Sequence, residues 1–278
     1  MSAGTEWLAQ LRSKALAALQ VLPEPEGYDA LDLAEMDLSA VAMNQPTRNA
    51  VCSDVPSGVI CADLLSATNE YPEIVHKFLA SVVDPSESRF TALHYALLGA
   101  GCFLYVPPNT TVELSLHIDR GNDILNSSYH TLIVADHGAR VTVLQAEKAS
   151  RPSLRRVVDI TEVVARAGAD VELAGWQDLG PEASHYSMRR GLLECDASID
   201  WITCSLGAGT NREIIESWLR GTGSHSGSVM LFLGSGSQRH DLMVKMLHEG
   251  EHTSSEILAR GVLGQHARTD YRGRAAIL

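Results

Sequence analysis

The chain has 278 residues, 45% of them apolar and 20% charged, which is enough apolar material for a core and too little charge for wholesale disorder. A formal charge of −12 argues against general binding to nucleic acid or anionic membrane, since both need a basic surface. There is no transmembrane-length apolar run and no basic region leading into an apolar leader, so the expected compartment is the cytoplasm.

Near the N-terminus, Leu8, Leu11, Ala15, Leu16 and Leu19 form a helical stripe, with Arg12 and Lys14 on the other side. Pro23 and Pro25 end it, because proline lacks an amide hydrogen and disfavours helix in its predecessor. Residues 26–66 are acidic and turn-rich with no clear period. A second helix is predicted over 69–82, with Pro72 near its start and Ile74, Val75, Phe78, Leu79 and Val82 three or four apart. A third is predicted over 87–98, stopped by Gly99 and Gly101.

From residue 102 the period changes to two. Val112, Leu114, Leu116 and Ile118 alternate with polar residues, the mark of a half-buried strand. A turn then recurs: Gly138-Ala139, Gly168-Ala169 and Asp196-Ala197 start 30 and 28 residues apart. A weaker copy follows at Gly223-Ser224, and another is read at His266-Ala267. Each leads into an alternating strand, with no helix between. Such a repeat implies stacked coils of parallel sheet, a right-handed parallel β-helix over 102–278 behind a small helical region over 1–101. An antiparallel sandwich with coincidental turns is the alternative.

Several residues invite chemical readings. His248-Glu249-Gly250-Glu251-His252 fits the zinc peptidase signature, in which His248 and His252 would bind metal and Glu249 act as base. That spacing works only on a helix, which Gly250 disfavours at its centre. The five cysteines, Cys52, Cys61, Cys102, Cys195 and Cys204, include no Cys-x-x-Cys pair, so no zinc ribbon or ferredoxin-type site is encoded. Gly207-Ala208-Gly209 lacks a third glycine, and Gly223-Ser224-His225-Ser226-Gly227 has His where a nucleophile elbow needs Ser.

Four segments together resemble one family. They are Phe90-x-Ala92-Leu93-His94 with Gly101-x-Phe103-Leu104-Tyr105-Val106-Pro107, His130-Thr131-Leu132-Ile133-Val134, His185-Tyr186-Ser187-Met188-Arg189-Arg190, and His252-Thr253-Ser254-Ser255 with Arg260-Gly261-Val262-Leu263. All are similar to stretches of the SufB/SufD scaffold proteins of iron–sulfur cluster assembly. Leu22-Pro23-x-Pro25 resembles the SufD branch, although Tyr28-Asp29-Ala30 stands where that branch has an aromatic–arginine signature.

The resemblance implies a scaffold rather than an enzyme, with no catalytic residue and no cofactor held stably by this chain alone. A nascent iron–sulfur cluster would form in a complex with a SufB-like paralogue and a SufC-like ATPase. Cys195 and Cys204 lie near rungs where SufB-type proteins relay sulfur. The family continues beyond the Tyr271-Arg272-Gly273 strand with more β-helix, the interface ligand and an ATPase-binding domain, so this chain reads as shortened and as poorly soluble without a partner. A β-helix remnant that keeps the fold but has no site is the remaining alternative.

Overall fold

A computed structural model describes residues 3–23, 55–119, 126–148 and 155–278. Helix α1 (Ala3–Val21) is followed by β1 (Ile60–Asp63), α2 (Leu64–Glu70), α3 (Pro72–Phe78) and α4 (Arg89–Ala96). Thereafter the described chain contains only strands: β2 (Gly101–Val106), β3 (Thr111–Asp119), β4 (Asn126–Ala135), β5 (Arg140–Lys148), β6 (Arg155–Ala165), β7 (Asp170–Asp178) and β8 (Ala183–Leu193). They continue with β9 (Ser198–Ser205), β10 (Thr210–Leu219), β11 (His225–Gly234), β12 (Arg239–His248), β13 (Ser254–Leu263) and β14 (Arg268–Ile277).

Two helical expectations are corrected. The helix predicted over 69–82 is two short ones, because Tyr71 precedes Pro72 and takes a non-helical conformation there (φ −134°, ψ 51°). It also ends early: Leu79 is extended and Ala80 is left-handed, while Leu79, Val82 and Val83 stay buried. Arg12 is no solvent-side residue. Its Nε donates to the carbonyl of Leu98 at 2.8 Å, satisfying a group just past the end of α4, whereas Leu16 is exposed. Residues 24–54, which include Pro25, the Tyr28 segment and Cys52, lie outside the described residues.

The strands build a parallel β-solenoid. One sheet runs β1-β2-β4-β6-β8-β10-β12-β14 and the other β3-β5-β7-β9-β11-β13. Every neighbouring pair is parallel except β1 with β2. In the six-stranded sheet, Thr111, Arg140, Asp170, Ser198, His225 and Ser254 stack in register, so successive coils stay in step although their lengths differ.

One corner carries the repeat. Asn109, Gly138, Gly168, Asp196, Gly223 and His252 all have positive φ, one in each coil. The amides of the first five donate to the next coil: Asn109 to His137 O, Gly138 to Ala167 O, Gly168 to Cys195 O, Asp196 to Thr222 O and Gly223 to Glu251 O, at 2.9–3.0 Å. The opposite corner has its own left-handed set, Gly180, Ala208, Gly236 and Gln265. The copy read at His266-Ala267 therefore belongs to that second corner. The missing copy of the first is Gly250–Thr253, disguised because His252 occupies the glycine position.

The inner faces of both sheets enclose an apolar lumen that includes Leu104, Leu116, Ile133, Val163, Leu173, Trp201, Ile215 and Val244. The outer face of the eight-stranded sheet is buried too. Phe103, Leu132, Val134, Ile160, Tyr186, Met188 and Ile214 pack beneath the N-terminal helices. A strand covered on both sides reads as a continuous apolar run, which is why β4 lacks alternation.

Candidate functional site: a polar pocket inside the solenoid

Part of the lumen breaks the apolar rule. Along β5 the inward positions are Val141, Val143, Gln145 and Glu147, and along β7 they are Val171, Leu173, Gly175 and Gln177. The last pairs are in register, Gln145 beside Gly175 and Glu147 beside Gln177. Facing them from the other sheet are Asp159 of β6, His185 of β8 and Asn211 of β10. Glu147, Asp159 and His185 are each at most 5% exposed.

The geometry converges on one imidazole nitrogen. His185 Nε2 lies 3.3 Å from Asp159 Oδ2 and 4.0 Å from Glu147 Oε2. Each carboxylate is oriented by its other oxygen. Asp159 Oδ1 accepts from the Tyr129 amide at 3.1 Å, and Glu147 Oε1 accepts from Gln145 Nε2 at 2.8 Å. On the far side of the ring, His185 Nδ1 lies 2.8 Å from Asn211 Oδ1. The orientation of that amide is set in turn: Asn211 Nδ2 donates to Ser205 Oγ at 3.1 Å, and Ser205 Oγ donates to Glu213 Oε2 at 2.9 Å. Burial opposes charge on the ring, but the hydrogen bond to Asp159 and the charges of Glu147 and Asp159 outweigh it and hold His185 above its ordinary value. One donor atom from each of the three residues lies within 4.8 Å of the others.

A second buried network lies on the outer side of the same sheet. Glu162 accepts from the amides of Ala80, Val82 and Val83 at 2.7–2.8 Å and from Tyr95 Oη at 3.1 Å. His130 and His94 continue it, with Nδ1 and Nε2 separated by 3.0 Å. His94 and His130 thus clamp the helices to the solenoid.

The residues singled out in the sequence fall elsewhere. His248 ends β12 and His252 is the exposed left-handed corner residue, so the helical turn that a zinc peptidase needs is not formed. Both His248 ring nitrogens lie beside hydroxyls, Nδ1 2.8 Å from Thr253 Oγ1 and Nε2 3.0 Å from Ser255 Oγ. Glu249 pairs with Arg220 at 3.0 Å. His248 and Glu249 are thus held by structural partners.

Cys195 is exposed in the corner before β9 and Cys204 is half-buried near its end. The strand between them keeps the two sulfurs apart. Cys204 is on the outward side, since Thr203 and Ser205 face in, and burial together with the Glu213 charge raises its thiol pKa, opposing the thiolate that sulfur chemistry uses.

The lumenal triad was missed. Only Glu147 leaves a local signal, in Val141-x-Val143-x-Gln145-x-Glu147, where the alternation carries polar side chains onto core-facing positions.

Fold and pocket together define a parallel β-solenoid with a helical N-terminal cover and a polar pocket within an apolar lumen. A family model for the SufBD core domain of SUF-system FeS cluster assembly matches residues 117–278, and one for the SufBD N-terminal region matches 31–118. The chain belongs to the SufBD family. An iron–sulfur cluster assembly SufBD family protein of Pyropia yezoensis is 29% identical over 228 residues, covering 78% of this chain and 47% of that protein. SufD of Bacillus subtilis is 29% identical over 222 residues, covering 78% and 51%. A chloroplastic SufBD family protein of Arabidopsis thaliana is 28% identical over 228 residues, covering 78% and 41%. The chain spans about half the length of the curated relatives it matches.

Proposed function

We propose that this chain is a SufD-like scaffold subunit in iron–sulfur cluster assembly, acting with a SufB-like paralogue and a SufC-like ATPase. The carrying observation is that both family models match, consecutively and in the expected order, from residue 31 to residue 278. A nascent cluster is the assembly's product, and its interface ligands are not assigned to residues of this chain. Among the described residues no helix is long and apolar enough to cross a membrane, which agrees with a cytoplasmic reading.

The test is native mass spectrometry of the protein isolated anaerobically from its own host, followed by cluster reconstitution. The reading expects the chain in a complex with the two partners, and cluster formation that falls when it is omitted. Isolation without partners, or reconstitution indifferent to the chain, would reject it in favour of a remnant that keeps only the fold.

A further inference from the structure

We propose that Glu147 Oε2, Asp159 Oδ2 and His185 Nε2 form a binding site for a first-row divalent cation inside the solenoid, completed by the carbonyl oxygen of Gln145. Four-coordinate ligands at about 2.1 Å from a metal sit about 3.4 Å apart, so the 3.3 Å and 4.0 Å separations around His185 need only small rotamer adjustments. One imidazole and two carboxylates make a donor set suited to Zn²⁺, Fe²⁺ or Mn²⁺ and poorly suited to Mg²⁺ or Cu⁺.

Two further observations point to a cation there. Gln145 is 3% exposed, yet its Oε1 has no hydrogen-bond donor, while its Nε2 is anchored on Glu147 in the cluster itself. Gln177, in register with Glu147 one coil on, likewise leaves its buried Oε1 without a donor. An unmatched buried carbonyl costs about 1–3 kcal/mol, and a cation in the pocket would give the Gln145 oxygen a partner.

The other observation is the tautomer. Asn211 presents its carbonyl to His185 Nδ1 because its amide group is committed to Ser205, so Nδ1 carries the proton. With Nδ1 donating, Nε2 faces two carboxylate oxygens across a position that a proton or a metal can occupy. A ligating histidine whose second nitrogen donates to a fixed acceptor is the usual arrangement at metal sites.

This inference does not depend on the cluster-assembly reading, and its test uses the full chain alone. The chelator-stripped protein is titrated anaerobically with Co²⁺, and Zn²⁺ is then added in competition. Uptake of one equivalent is expected, with ligand-field bands and no thiolate charge-transfer band. His185→Ala should abolish uptake, Asn211→Leu should weaken it about 10–100-fold, and His248→Ala should leave it unchanged. If the lumenal variants do not fold, X-ray absorption on the Zn²⁺-loaded wild type decides, since a shell of nitrogen and oxygen only is expected. Failure to take up a stoichiometric ion, sulfur in the shell, or uptake unaltered in folded His185→Ala would overturn the proposal.

Discussion

Glu162 and His130 face each other at 3.2 Å with both side chains fully buried, where the helical cover meets the eight-stranded sheet. The carboxylate also collects the amides of Ala80, Val82 and Val83, the non-helical stretch that follows α3. Removing it leaves three amides short of their acceptor. Glu162→Ala is expected to cost about 3–5 kcal/mol, the range for removing one partner from a buried charged network. Urea unfolding measures it, and a loss below about 1 kcal/mol would show that water replaces the carboxylate.

Arg190 holds the same interface by a different chemistry. Its NH1 and NH2 reach Glu87 at 2.6 Å each, its Nε reaches Glu216 at 2.6 Å, and its NH1 also donates to the Val82 carbonyl at 3.0 Å. Only a planar guanidinium can serve two carboxylates and a carbonyl in this fork. Arg190→Lys therefore keeps the charge but should lose about 2–4 kcal/mol and expose the 84–88 turn to protease before the solenoid unfolds. Cleavage patterns identical to wild type would show that charge alone is sufficient.

The solenoid was legible in sequence because its corner repeats and its inward positions alternate. Gly138, Gly168 and Asp196 mark left-handed residues, and their spacing is the register of the sheet. The repeat fades where left-handed φ falls on His252, a residue type whose sequence context suggested metal chemistry. The helices after residue 60 were less clear because α2 and α3 have seven residues each, too short for a period to declare itself. The lumenal triad was illegible as a unit. Glu147, Asp159 and His185 come from three different strands and meet only once the coils stack, so no local spacing encodes them.

His252→Gly tests the corner reading against the zinc reading. At φ 58° a histidine carries a steric penalty that glycine lacks, partly offset by the greater freedom of glycine in the unfolded chain. The expected result is a gain of about 0.5–1 kcal/mol with zinc content unchanged. The neighbouring Gly221 should behave oppositely. A Cβ there would lie 2.0 Å from the backbone of Glu194 and Cys195 in the preceding coil, so Gly221→Ala should break the stack. Destabilisation by His252→Gly together with loss of bound zinc would restore the metal reading.

His240 supplies a pH signature. It is 2% exposed, in register with Asn211, and burial lowers its pKa below the usual 6.5 although the Glu213 charge works the other way. A depressed histidine is neutral in the fold where the unfolded chain is already protonated, so its burden grows as pH falls below about 6.5 and ends at the folded pKa. His185, whose pKa is raised, acts in the opposite sense, so the wild-type pH profile alone cannot isolate either residue. The difference between wild type and His240→Asn can. It should be flat above about pH 7 and move against the wild type by up to about 1.4 kcal/mol per unit below pH 6.5. Denaturant unfolding at half-unit steps from pH 5 to 8 measures the difference. A flat difference across that range would mean that the lumen admits enough water to hydrate the charged ring.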